Sequence, residues 1–197
     1  MTVRAILWDF GDTLADERWM RAPMPEAPRW PELYARFSES ELAERWNIGA
    51  VGIDEIAAHF AEQLGIEAAR VRAHMEACSR AIIFFPLVHE LTQRRALPQA
   101  IVTVNPDIFS LVVVPAYALS SQFEAIVTSW QTGSLDKAEL CDRAIAMLNP
   151  QFRRDECLLI DNREDAVARW TDKGGAAFHF QGERDLHDRF AEFVRGG

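Results

Sequence analysis

The chain is short of cysteine. Only three occur, Cys78, Cys141 and Cys157, far apart and with no Cys-x-x-Cys among them. An odd, scattered set excludes a disulfide framework and a zinc knuckle, and a reducing cytoplasm is the expected setting. Long apolar runs are missing too. The N-terminal run Val3–Trp8 is too short for the core of a signal peptide, and no later run reaches the roughly 18 residues that span a bilayer. Basic charge is the third shortage. Lys and Arg number 21 against 30 Asp and Glu, a net charge of −9, which argues against nucleic acid or an anionic membrane surface as partner. A small anionic substrate remains admissible, provided that a metal or a few cations are placed locally. There is no internal repeat and no low-complexity tract.

What is present is ordinary for a folded protein. The 197 residues are 49% hydrophobic and 26% charged, which suits one globular domain carrying a modest insertion. Five short apolar runs read as buried strands: Val3–Trp8, Gln99–Val104, Glu124–Thr128, Cys157–Ile160 and Ala176–Phe180. From the second onward they alternate with helix-like segments. Pro106–Ala118 is ambiguous, because Val112-Val113-Val114 reads as a strand and Pro115 breaks a helix. Lys137–Leu148 places Cys141, Ile145 and Leu148 on one face, with Asp136 and Glu139 as a capping box. Arg163–Lys173 follows Asn162 as N-cap and stops at Gly174-Gly175, and Arg184–Val194 is a last amphipathic helix.

Strands alternating with helices predict an α/β fold: a Rossmann-like parallel sheet of about five strands with helices on both faces. The stretch from Asp16 to Phe84 breaks that rhythm. Pro23, Pro25, Pro28 and Pro31 open it, and helix-like runs follow at Glu32–Trp46, Ile53–Leu64 and Ala68–Ala81. The expected organisation is therefore an α/β core from residues 1–15 and 85–197, with residues 16–84 as an inserted helical subdomain.

Ligands of open parallel sheets gather at the carboxyl ends of the strands. Two of the strands run straight into an aspartate, Asp9 and Asp161. Two carboxylates aimed at one crevice share a proton or hold a cation, and a hard ion such as Mg²⁺ prefers such oxygen ligands. Asp165 is a further candidate ligand. As a purely structural residue, Asp165 would pair with Asn162 in a capping box, and Asp12 would be a turn residue beside Gly11. Lys137 stands at the first position of a helix, where the dipole disfavours a cation by about 0.3–1 kcal/mol. Residues that break a local rule are often functional. A solvated lysine is the alternative, and its loss would then be neutral or slightly stabilising.

Together these residues resemble the haloacid dehalogenase-like (HAD) superfamily. Asp9-Phe10-Gly11-Asp12-Thr13-Leu14 is similar to its first motif, Asp-x-Asp-x-Thr. Thr103 resembles the phosphoryl-binding Ser/Thr of the second, Lys137 the lysine of the third, and Asp161-Asn162-Arg163-Glu164-Asp165 the acidic fourth. The insertion resembles the helical cap of subfamily I. The resemblance implies a Mg²⁺-dependent phosphatase acting on a small phosphorylated substrate. Asp9 would be the nucleophile, Thr103, the backbone at Val104 and Lys137 the phosphate clamp, and Asp9, Gly11, Asp161 and Asp165 the metal site. One position departs from the pattern. Gly11 stands where the family carries its general acid/base, so Asp12 becomes the substitute candidate. That departure leaves a 2-haloacid dehalogenase-type hydrolase open, and equally a phosphate-binding module with impaired catalysis. Trp19, Trp30, Tyr34, Phe37 and Trp46 read mainly as cap core. Arg18 and Arg21 read as solvated hinge residues or as contacts to a substrate anion. The five histidines show no metal-ligand spacing.

Overall fold

A computed structural model describes residues 2–194. Its frame is a five-stranded parallel sheet in the order β3-β2-β1-β4-β5, built from β1 (Ala5–Trp8), β2 (Gln99–Thr103), β3 (Ala125–Thr128), β4 (Cys157–Asp161) and β5 (Ala176–His179). Trp8 pairs with Ile101 on one side and with Ile160 on the other. The next residue, Asp9, therefore leaves the sheet between two strand ends. All five runs expected from sequence are strands, trimmed by a residue or two where a chain leaves its ladder. β4 is the exception and gains Asp161.

Every side chain of β1, β2 and β4 is buried, yet the period of two still sorts them between two faces. Ile6, Trp8, Ile101, Leu158 and Ile160 belong to one apolar cluster, and Ala5, Leu7, Ala100, Val102 and Leu159 to the other. The first face is covered by α5 (Pro86–Gln93), by α11 (Glu183–Val194) and by the segment after β2. The second is covered by α9 (Lys137–Leu148) and α10 (Glu164–Asp172). Short turns α6 (Val114–Ala116), α7 (Leu119–Gln122) and α8 (Ser129–Thr132) complete the connections.

Between β1 and α5 the chain is helical: a 3₁₀ turn at Glu17–Arg21, then α1 (Trp30–Phe37), α2 (Glu41–Asn47), α3 (Ile53–Leu64) and α4 (Ala68–Ser79). This block has its own apolar cluster around Trp30, Trp46, Ile56, Phe60 and Met75, which Ile108 and Val112 of the core join.

Four local expectations are corrected. The run Glu32–Trp46 is two helices, because Ser40 accepts a hydrogen bond from the Ala43 N–H and starts α2 afresh. Val112–Val114 form no strand. Phe109–Val113 is a π-turn in which the Val114 N–H reaches back to Phe109, and this wider register accommodates Pro115, which has no N–H to give. Asp136 caps α9 through the Ala138 N–H, but Glu139 pairs with Arg143 and closes no box. The N-cap of α10 is Arg163 without a side-chain bond; the Asn162 side chain instead accepts from the Thr13 hydroxyl, at 3.4 Å.

Candidate active site

Three charged side chains meet at the carboxyl edge of the sheet. Asp9 follows β1, Asp161 ends β4, and Lys137 opens α9, whose buried face of Ala138, Cys141, Ala144 and Ile145 packs on the sheet and brings its N-terminus to the strand ends. The Lys137 ammonium donates to Asp9 Oδ1 at 2.5 Å and to the Val102 carbonyl at 3.0 Å. It also lies 3.0 Å from Asp161 Oδ2. All three side chains are buried, Asp161 completely. The solvated reading of Lys137 is thereby overturned. Helix position alone could not show this, since the partners come from strands more than 20 residues away in sequence.

The electrostatics follow from two carboxylates sharing one cation. Burial pushes the Asp9 carboxyl above its ordinary value; Lys137 opposes that push and the charge of Asp161 adds to it. Burial works against the charge on Lys137, but Asp9 and Asp161 outweigh it and hold the ammonium above its usual range. Lys137 is therefore charged throughout the neutral range, one ammonium shared by two carboxyl groups. Asp161 is held from the other side by the Arg163 N–H, which donates to Oδ1 at 2.8 Å. Its Oδ2 is buried, and no donor is aimed at it at hydrogen-bonding angles.

That oxygen tests the fit of a cation. A buried carboxylate oxygen that an ammonium approaches at 3.0 Å without good hydrogen-bonding angles still has room for a further ligand and suits a hard divalent ion, and Mg²⁺ needs only one or two carboxylates with waters. The donor set is smaller than expected. Asp165 lies on the exposed first turn of α10, where Arg163 grips both of its oxygens at 3.0 and 2.8 Å. Among the described residues no three acidic, histidine or cysteine side chains gather as a metal cluster. Gly11 is buried and bridges to Ala15. Asp9, Asp161 and the backbone at Gly11 are thus the residues that could hold the ion. Arg163, which organises both Asp161 and Asp165, is a site residue that the sequence reading missed.

The remaining candidates are placed as follows. Thr103 is buried at the end of β2, its hydroxyl accepting from the Asn105 side chain at 2.8 Å. Val104 and Asn105 line a cavity of about 510 Å³ that opens between the sheet edge and the helical block. Gly11 and Asp12 line the same cavity. In this loop the left-handed conformation falls on Asp12, with φ of 49°, a residue type that tolerates it better than most. From the helical block come Trp19, Tyr34, Phe37, Trp46 and both arginines, Arg18 and Arg21. Arg18 is gripped by Asp16 through its backbone N–H and its guanidinium, which holds the Asp16 carboxyl down at about 2.

The histidines gather no metal. His74 lies inside the helical block against the Ala22 carbonyl and Trp30, and burial lowers its pKa. The three cysteines are free and buried. Burial pushes the Cys157 thiol up to about 12, which leaves it protonated and unreactive.

A doubly wound parallel sheet with buried carboxylates at its carboxyl edge defines the class: an α/β protein of Rossmann-like architecture with a helical insertion. The sequence matches no protein-family model and no curated protein. Solved structures place the fold more closely. A HAD-family enzyme of Bacteroides thetaiotaomicron superposes with a TM-score of 0.73 at 13% identity, over 96% of this chain and 99% of that one. The same enzyme has been solved with magnesium and inorganic phosphate. A predicted HAD-like family hydrolase of Porphyromonas gingivalis gives 0.74 at 14% identity, over 99% of both chains. L-2-haloacid dehalogenase of Xanthobacter autotrophicus gives 0.69 at 15% identity, over the whole of this chain and 84% of that one. The fold is that of the HAD-like hydrolases. Among the described residues, no helix is long and apolar enough to cross a membrane.

Proposed function

We propose that the protein is a Mg²⁺-dependent hydrolase of small phosphate esters. The observation that carries this reading is the buried Asp9–Lys137–Asp161 trio, two carboxylates around one ammonium, with one Asp161 oxygen that accepts no well-angled hydrogen bond. Lys137 fixes Asp9 Oδ1 and leaves Oδ2 as the attacking atom. Asp9 attacks phosphorus in line, an oxygen–phosphorus bond forms, and the ester oxygen departs. Water then cleaves the aspartyl-phosphate. Lys137 and the Thr103 hydroxyl, with the backbone at Val104, steady the phosphoryl oxygens. Asp9 and Asp161, with Asp165 at most at the margin of the site, would hold a Mg²⁺ ion, which would supply positive charge to the phosphoryl oxygens. The helical block roofs the cavity as a cap and selects the substrate.

Gly11 leaves the loop without a side chain to protonate the leaving group. Asp12 lines the cavity and is the candidate to do so. A dehalogenase-type reading, in which Asp9 attacks carbon and no metal is needed, is favoured by one observation: Lys137 already sits between the two carboxylates. The assay that decides is hydrolysis of an aryl phosphate with and without Mg²⁺, beside halide release from a 2-haloacid. We expect phosphate release that requires Mg²⁺, and no halide. Asp9→Asn should reduce it below about one per cent of wild type while leaving the melting temperature unchanged or higher, since one of two facing carboxylates is gone. Halide release without metal dependence would replace the phosphatase reading. Activity surviving in Asp9→Asn would remove Asp9 as nucleophile.

A further inference from the structure

The cavity beside the Gly11–Asp12 loop treats its two arginines differently. Arg18 is held by Asp16 and feels the charge of Asp12 as well. Arg21, at the end of the same 3₁₀ turn, lines the cavity and makes no hydrogen bond or ion pair with any described residue. Acids outnumber bases in this chain and most arginines have a carboxylate within reach, from Arg36 with Glu32 to Arg154 with Asp142; Arg29, Arg45 and Arg184 also make no ion pair among the described residues, but of these four only Arg21 lines the cavity. A guanidinium without a partner among the described residues, on the wall of a cavity in a molecule with surplus acid, marks a place where an anion is expected from outside.

The walls between Arg21 and the sheet edge are aromatic. Phe37 and Trp46 are buried in the cluster of the helical block, whereas Trp19 and Tyr34 are only partly buried where they line the cavity. At about 510 Å³ the space is much larger than a phosphate and falls in the range that encloses a small organic ligand. Its lining joins Gly11, Val104 and Asn105, close in sequence to Asp9 and Thr103, to Arg21 of the helical block.

We infer that the substrate carries a second anionic group, a carboxylate or a further phosphate, on an aromatic body, and that Arg21 is the specificity residue that reads it. The phosphoryl end goes to Asp9, the ring lies against Trp19 and Tyr34, and the second anion takes the fork of Arg21. This rests on the phosphatase reading for the identity of the first anionic group. It adds the chemistry of the leaving group.

The test compares two ligands that differ only in the second anion. Phenylphosphonate and 4-carboxyphenylphosphonate resist hydrolysis and are titrated calorimetrically into wild type, Arg21→Gln and Arg21→Lys in the presence of Mg²⁺. The matching esters, phenyl phosphate and 4-carboxyphenyl phosphate, are assayed for turnover. In wild type the carboxylated phosphonate should bind about tenfold more tightly, the lower end expected of a charge-assisted contact at an exposed arginine. Arg21→Gln should bring the ratio of affinities towards one, and Arg21→Lys should keep part of it. A ratio near one in wild type, or one that survives Arg21→Gln, overturns the inference whatever the turnover. A preference that Arg21→Gln removes, with neither ester hydrolysed, upholds Arg21 and defeats the phosphatase reading instead.

Discussion

At the scale of single residues, Lys137 carries the most consequence. A lysine at the first position of a helix reads as a small electrostatic liability, and on that ground its removal would be neutral. Its burial between Asp9 and Asp161 reverses the sign. Lys137→Met leaves two carboxylates facing one another in a dry site, and removing one partner from a buried charge cluster costs about 3–5 kcal/mol. For a chain of this length the melting temperature should fall by roughly 10 °C. Restoring the balance should restore stability, so Asp9→Asn combined with Lys137→Met should recover much of the loss. Calorimetry of the wild type, the two single variants and the double variant reads this directly. A Lys137→Met protein that melts within about 2 °C of wild type would show that water, not lysine, satisfies the carboxylates. The sequence could flag Lys137 as odd but could not reveal its burial, because the surroundings are set by β1 and β4 rather than by neighbours along the helix.

Among the elements, the strands were legible and the junction between core and helical block was not. The strands announce themselves by apolar runs of the right length, and the aspartates that end β1 and β4 announce the site edge. Asp107 gives no such signal. It is a lone acid after β2, yet it is buried and accepts from the Trp46 indole N–H at 2.7 Å and from the Ile53 N–H at 2.8 Å. α3 begins after Gly52, which has no side chain to cap it; Asp107 supplies the cap from 54 residues away. Capping a helix of the insertion and docking the insertion on the core are therefore one interaction. The Ser129 hydroxyl adds a bond to the Asn47 carbonyl, at 2.7 Å. Gly49, with φ of 75°, lets the turn lie against Trp130, where a Cβ would come within 2.8 Å of the Trp130 carbonyl oxygen. Asp107→Ala would leave two buried donors without an acceptor, at roughly 1–3 kcal/mol each. We expect a lower melting temperature together with faster proteolytic cleavage between α2 and α3. Asp107→Asn, which keeps one acceptor oxygen, should fall between the two. Cleavage unchanged in Asp107→Ala would mean that the apolar contacts of Ile108 and Val112 hold the block down unaided.

For the molecule as a whole, the question is how a chain with net charge −9 deals with cations and anions at once. Its surface attracts any divalent ion weakly, and that attraction is screened within about 8 Å at physiological ionic strength. A built site behaves differently. An ion that binds the folded state and not the unfolded one stabilises by RT ln(1 + [L]/Kd), about 2.7 kcal/mol at a hundredfold excess over Kd. In a chain of this length that is a rise in melting temperature of roughly 5–10 °C. The two contributions separate by salt and by substitution. Measured in about 0.15 M monovalent salt, where diffuse attraction is damped, Mg²⁺ should still raise the melting temperature of wild type, with a saturating curve. Asp161→Asn removes a ligand while changing the net charge by a single unit, so diffuse attraction barely alters, and its Mg²⁺ response should be largely lost. Asp165→Asn, which alters the net charge equally, should retain the response, because Arg163 holds that carboxylate on the surface of α10. Equal, unsaturating shifts in all three proteins would show that Mg²⁺ merely screens the acidic surface. A shift lost in Asp165→Asn as well would show that this carboxylate leaves Arg163 to join the ion, and that the metal site is larger than the two strand-end aspartates.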